Sequence, residues 1–274
     1  MLKANLLFII IMFLQGCTKV ADPDKIYDIR EKIVIKDISY GKAQRQKLNA
    51  FLPADRNENT RAIILIHGGG WQSGDKNDFD LFASMFAESG IASFIINYRY
   101  ASVQNHVGYI EILEDIDNAI SCIRDSSVKF TISPENICLL GHSAGGHLSM
   151  LYAYRNNQKK IIDKVVSLAG PTDLTDTDFL SITGVEELVN TLAGSDPGNR
   201  IDASPLTYAN DVITILYHGK SDEVVPYQQS ERLFEKIRGL NSRNNCRLIE
   251  NCGHGFNAAE LWNIATETVS LVND

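Results

Sequence analysis

The stretch ICLLGHSAGGHLSM, residues 137–150, sets a single serine, Ser143, among three glycines directly after an apolar run. Glycine is a poor residue for strand and helix alike, because it costs backbone entropy and packs nothing. Gly141, Gly145 and Gly146 so close together point to a tight turn. Gly141-His142-Ser143-Ala144-Gly145 matches G-x-S-x-G, a pattern with chemical meaning where a strand feeds a helix through a sharp reversal. Residues 137–140 predict the strand and residues 146–154 the helix. At such a reversal only glycine leaves room at the flanks, and the serine sits in strained geometry with its hydroxyl lifted clear of the backbone. The helix N-terminus aims unsatisfied N–H groups at the same spot. The plainer alternative is a glycine-rich turn that serves packing only.

Working outward, RAIILIH (residues 61–67) and IASFIIN (residues 91–97) are continuous apolar runs, as expected of strands buried on both faces. Further strands are predicted at residues 32–40, 46–52, 164–169, 213–218 and 247–250. Helices are predicted at 79–89, 109–125, 225–240 and 258–272. In residues 109–125, Ile112, Ile116, Ala119, Ile120 and Ile123 recur at helical spacing. About eight strands alternating with helices imply an α/β fold: a mostly parallel sheet with helices on both faces. In such sheets sites form at the carboxyl ends of the strands, so the loops after His67, Leu140, Ala169, His218 and Glu250 are the ones that matter. Residues 171–210 hold several prolines and glycines, read as the least regular part, and are expected to cap one edge of the site.

A serine hydroxyl is a weak nucleophile without a base. Of the six histidines, His254 follows a predicted strand, lies between Gly253 and Gly255, and comes last in the chain, which suits the order serine, acid, histidine. His67 and His218 end strands and read as loop-shaping residues; His142 and His147 read as packing or core residues, and His106 as a solvated loop residue. The imidazole needs a carboxylate to fix its tautomer. Asp222, in HGKSDEVVP after a strand, is favoured over Asp173. A developing oxyanion needs donors, and His67-Gly68-Gly69-Gly70-Trp71 offers backbone N–H groups free of side chains. Gly69, Gly70 and Ala144 are the expected contributors.

Together HGGGW, NYRYA, GHSAGGH, HGKSDEVVP and GHGF, in this order, resemble the α/β-hydrolase superfamily. The likeness is to its HGGG esterase and lipase branch: hormone-sensitive-lipase-like, kynurenine-formamidase-like and feruloyl or acetyl-xylan esterase-like enzymes. It runs from about residue 40 to the C-terminus. It implies the α/β-hydrolase fold, a Ser143–Asp222–His254 triad, a substrate contact at Trp71, and neither metal nor organic cofactor. It implies a serine carboxylesterase acting on short acyl esters, with acetyl or feruloyl esters of carbohydrate as an expected target. The rivals are an amidase, formamidase or peptidase of the same fold, and a binding protein on an idle hydrolase scaffold. No large helical cap insertion is evident, which favours a short acyl group over a bulky lipid.

The chain of 274 residues, 44% hydrophobic, is long enough for one sizeable core. A net charge of −8 with no basic run argues against nucleic acid as a partner. The first residues differ from the rest: Lys3, then the apolar run Leu6 to Leu14, nine residues, too short for the about 20 that span a bilayer but right for a secretory signal. Leu14-Gln15-Gly16-Cys17 resembles the bacterial lipobox, with Gln15 in place of a small residue. The expectation is a signal peptide over residues 1–16, a lipid on Cys17, a tether over 17–30, a hydrolase domain over 31–274 and a place in the bacterial cell envelope, with the membrane reached through the lipid alone. The alternative is an ordinary signal peptide and secretion. Cys122, Cys138, Cys246 and Cys252 are expected to be free thiols, since no dense disulfide framework appears. No cysteine or histidine grouping has metal-ligand spacing.

Overall fold

The computed structural model describes residues 20–21 and 27–274. The expected signal peptide and Cys17 lie outside these residues, as does most of the expected tether. Eight strands form one twisted sheet: β1 (Ile33–Ser39), β2 (Lys47–Leu52), β3 (Ala62–Ile66), β4 (Ala92–Ile96), β5 (Ile137–His142), β6 (Ile162–Leu168), β7 (Ile213–Gly219) and β8 (Asn245–Ile249). Their order is β1-β2-β4-β3-β5-β6-β7-β8, and a two-residue stub, Val20–Ala21, pairs parallel outside β1. β1 and β2 pair antiparallel, as do β2 and β4; all later pairs are parallel.

The apolar runs are central strands because both of their faces are covered. In β3, Ile64 and Ile66 point into one buried cluster, and Ile63 and Leu65 point into the other, as period-two alternation requires. The helix α1 (Asp80–Glu88) covers the second cluster through Phe82 and Phe86. The helix α2 (Tyr109–Asp125) covers the first with Ile112, Ile116, Ala119, Ile120 and Ile123, the stripe read from the sequence. Three more helices follow: α3 (Ala144–Leu151), α4 (Val185–Ala193) and α5 (Gln228–Ile237); α6 (Ala258–Asn273) closes the chain.

Parallel register carries the strand ends to one edge. Ile66 pairs Gly141, His142 pairs Leu168, Leu168 pairs Tyr217, and Gly219 pairs Ile249. The loops carrying Gly69, Ser143, Asp222 and His254 all leave that edge, where a site in such a sheet belongs.

Two expectations need correction. Residues 171–210 are not irregular: they hold α4 and the short helical turns Thr177–Leu180, Pro197–Asp202 and Pro205–Tyr208. The turn residues there are helix punctuation. Gly184 and Gly194 flank α4 at φ 83° and 79°, Pro197 and Pro205 open their turns, and the Asp176 and Asp196 side chains cap theirs. The Asp202 carboxylate then ties this segment down, accepting from the hydroxyls of Tyr109 and Tyr208 and from Arg155. The last part of the expected tether is also anchored. Buried Arg56 donates to the carbonyls of Asp28, Ile29 and Glu31, which ties residues 28–31 to the domain, as the pairing with β1 ties Val20–Ala21.

Candidate active site

The reversal after β5 is one residue long: the strand ends at His142 and α3 begins at Ala144. Ser143 sits between them at φ 55°, ψ −121°, a conformation that costs an L-residue about 1–3 kcal/mol and persists only where the surroundings impose it. They do. Ser143 N–H donates to Leu168 O at 2.8 Å, and its own carbonyl accepts from His147 N–H at 3.0 Å. The flanking glycines answer to close approach. A Cβ on Gly141 would lie 2.2 Å from the Gly145 carbonyl, and one on Gly145 would lie 1.9 Å from Ile66 O in β3. The turn is thus pressed both on itself and on the neighbouring strand.

His254 arrives from the loop after β8, 111 residues away in the chain, with Nε2 2.9 Å from Ser143 Oγ. Its Nδ1 lies 2.8 Å from Asp222 Oδ2. An ionised carboxylate only accepts, so Nδ1 carries the proton and Nε2 of the neutral ring is left to accept from the serine. The two loops are laced together. Ser221 N–H donates to Cys252 O and Lys220 N–H to Ile249 O, both at 2.9 Å. A Cβ on Gly219 would lie 2.2 Å from Cys252 O.

The Asp222 side chain is fully enclosed, while His254 keeps 19% exposure. Burial alone would raise the carboxyl pKa. It is outweighed by contacts from His218 and His254 and by the Val225 N–H, which hold Asp222 well below the usual carboxylate range. Asp222 Oδ1 accepts from the N–H groups of Val224 and Val225 at 2.8 and 2.9 Å. The rival, Asp173, is engaged elsewhere, accepting from the N–H and hydroxyl of Thr175. Glu223 is exposed and no part of the cluster.

The glycine loop after β3 packs on the serine turn: a Cβ on Gly68 would lie 3.2 Å from Ser143 Cβ. Gly69 and Gly70 have φ of 103° and 56°, a region glycine enters freely. Among the described residues, the N–H groups of Gly69, Gly70 and Ala144 make no hydrogen bond to the protein. Leu188 of α4 stands beside Gly70, 3.1 Å from where a Cβ would sit, so the capping segment forms part of the wall.

Trp71, expected to contact substrate, is 2% exposed and donates its indole N–H to His147 Nδ1 at 3.2 Å. It braces the glycine loop against α3 and offers no face to a ligand. His147 donates in turn from Nε2 to Ala203 O at 2.8 Å, and burial lowers its pKa to about 4. His142 does more than pack: its Nε2–H donates to the His254 carbonyl at 2.9 Å, and the two rings lie 4.9 Å apart. His218 places Nε2 3.2 Å from Asp222 Oδ2 while donating to Val225 O. His67 stacks on Tyr98 at 4.4 Å, and His106 stays exposed in its loop. Local spacing carried no signal for Arg45, which the β1–β2 hairpin brings within 3.2 Å of His67. The four described cysteines are free.

A serine-bearing turn, a histidine bridging it to a buried carboxylate, and a glycine loop with free N–H groups now stand together. The family model for BD-FAE matches residues 48–237, a span that includes Ser143 and Asp222. The chain belongs to the BD-FAE family. It has the α/β-hydrolase fold. Among curated relatives, this BD-FAE protein is 26% identical over 228 residues to a probable carboxylic ester hydrolase, LipM, of Mycobacterium tuberculosis, covering 76% of this chain and 52% of the relative. It is 31% identical over 135 residues to an acetylxylan esterase of Xylanibacter ruminicola, covering 47% of this chain and 26% of the relative. The chain spans about half the length of the first curated relatives it matches. Among solved structures, a truncated carbohydrate esterase from gut microbiota superposes with a TM-score of 0.74 at 19% identity, covering 90% of this chain and 99% of that one, a likeness of fold.

Proposed function

We propose that this BD-FAE protein is a serine carboxylesterase acting on short acyl esters, acetyl or feruloyl esters of carbohydrate among them. The observation that carries the reading is the His254 imidazole held between Ser143 Oγ and Asp222 Oδ2 at 2.9 and 2.8 Å. His254 Nε2 takes the serine proton as Ser143 Oγ attacks the ester carbonyl. The tetrahedral oxyanion is met by the N–H groups of Gly69, Gly70 and Ala144, where one donor contributes on the order of 3 kcal/mol to the barrier. Collapse returns the proton to the leaving alcohol and leaves an acyl-Ser143. Water, deprotonated by the same Nε2, then releases the acid. Asp222 stays ionised throughout, holding Nδ1–H and stabilising the imidazolium.

The carbohydrate preference rests on relatives described as acetylxylan esterase and carbohydrate esterase. The lipobox-like Cys17 supports a lipid-anchored protein of the bacterial cell envelope. The test is turnover of p-nitrophenyl acetate, butyrate and a longer acyl ester, beside acetylated and feruloylated xylo-oligosaccharides and N-formyl amides, by the parent and Ser143→Ala. Short-ester turnover that Ser143→Ala abolishes supports the reading. Turnover of amides alone moves it to a formamidase, and no turnover by the parent on any substrate ends it.

A further inference from the structure

Arg45 lies in the hairpin between β1 and β2, with no chemical reason in its own stretch of sequence to matter to Ser143. Its guanidinium is nevertheless committed to the glycine loop. Nε donates to Tyr98 O at 2.9 Å, and Nη2 donates to Gly74 O at 3.1 Å and lies 3.2 Å from His67 Nε2. Its plane rests on the Tyr100 ring, 3.7 Å from the centroid. Among the described residues no carboxylate forms an ion pair with it.

A guanidinium has only donors. Facing Arg45, His67 Nε2 must therefore accept, which puts the ring proton on Nδ1. That nitrogen lies 2.7 Å from Gly68 O, and the geometry becomes a directed chain: Arg45 to His67, His67 to the Gly68 carbonyl. A protonated His67 would place an N–H against the guanidinium, so the chain requires a neutral ring, and burial supplies one. The ring itself cannot wander, for it is stacked on Tyr98, whose hydroxyl donates to His67 O at 3.2 Å. Gly74 closes the remaining side: a Cβ there would lie 2.6 Å from His67 Nδ1 and 2.5 Å from Gly68 O.

The peptide between Gly68 and Gly69 is trans, as are all peptides among the described residues, so its carbonyl and N–H point opposite ways. Holding Gly68 O toward His67 therefore holds the Gly69 N–H away from it. Glycine on both sides would otherwise let this peptide turn over at little cost. A turned peptide would present a carbonyl where the oxyanion needs a donor.

We propose that Arg45 is a positioning residue for the esterase reaction, fixing the His67 tautomer and through it the direction of the Gly69 N–H. The proposal rests on the esterase reading of the same site and adds a residue that touches neither substrate nor Ser143.

Two measurements on the full chain test it. The first is the long-range proton–nitrogen NMR spectrum of the histidine rings, with His67 assigned from a His67→Gln sample. Parent protein should show His67 protonated at Nδ1, and Arg45→Met should lose that preference. The second is kinetics on p-nitrophenyl acetate. Arg45→Met should lower kcat at least about tenfold, a fraction of what loss of a whole donor costs, with KM within about twofold. Arg45→Lys, which keeps one donor, should recover part of the loss. A merely structural arginine would shift neither the tautomer nor kcat apart from KM. His67 protonated at Nε2 in the parent, or Arg45→Met and Arg45→Lys both within twofold of parental kcat, overturns the proposal. Failure of the esterase reading is seen separately, as a parent that turns over no ester, and the tautomer spectrum is read without any turnover.

Discussion

At Ser143 the backbone is strained because three neighbours leave no alternative: Gly141 folded onto Gly145, Gly145 pressed on Ile66, and Leu168 O holding the serine N–H. At the histidines the chemistry differs by partner. His254 meets a carboxylate and a hydroxyl. His67 and His147 have no carboxylate hydrogen-bonded to the ring, and burial, opposed at His67 by the charges of Asp78 and Asp75, lowers both from 6.5 to about 4. In the fold these two stay neutral while the unfolded chain takes up protons below about pH 6.5. The stability they contribute is therefore complete above pH 6.5 and is lost as pH falls toward 4. Each should account for about 2–3 kcal/mol between pH 7.5 and 4.5. Urea unfolding at the two pH values measures the loss, and His147→Asn should flatten the dependence relative to the parent. An unchanged pH dependence in that variant would mean His147 is not held neutral by the fold.

At the scale of elements, the strand-turn-helix around Ser143 behaves as one part pressed against β3. Gly145→Ala puts a methyl 1.9 Å from Ile66 O, backbone against backbone, with no side chain able to move aside. It should destabilise by about 3 kcal/mol or more and depress activity even where the protein remains folded; the urea midpoint and the rate on p-nitrophenyl acetate read the two effects. Gly90→Ala is the control, since no atom lies within 4 Å of a Cβ there, although its φ of 82° adds backbone strain of its own. The strands and long helices were legible because the signals are local: two-sided apolar runs such as residues 61–67, and the isoleucine stripe of α2. Residues 171–210 were misread because glycine and proline mark helix ends as well as loops, and helices this short show no period. Ser143, Asp222 and His254 were legible as motif residues at strand ends. The burial of Trp71, the Asp222 contact of His218 and the reach of Arg45 were not, since each depends on which distant element packs opposite.

At the scale of the molecule, one parallel register gathers four loops at one edge of the sheet, and the capping segment pinned by Asp202 walls part of it. Val20–Ala21 pairs with β1, and Arg56 holds residues 28–31 to the body by their carbonyls, so the reach between an anchor at Cys17 and the domain is confined to about three residues, or about 10 Å at full extension. A lipid on Cys17 would then keep the domain close to the membrane. Cys17→Ser should abolish incorporation of labelled palmitate and move the protein from the membrane to the soluble fraction. Membrane association unchanged in that variant would contradict the anchor. The central claim is narrower: Ser143 is made nucleophilic by His254 and Asp222. Its most direct test is labelling with a fluorophosphonate followed by intact mass and peptide mapping. One adduct per chain, on Ser143, absent in Ser143→Ala and strongly slowed in His254→Ala, is the expected result. No adduct on the folded parent, or one that persists in Ser143→Ala, would contradict it.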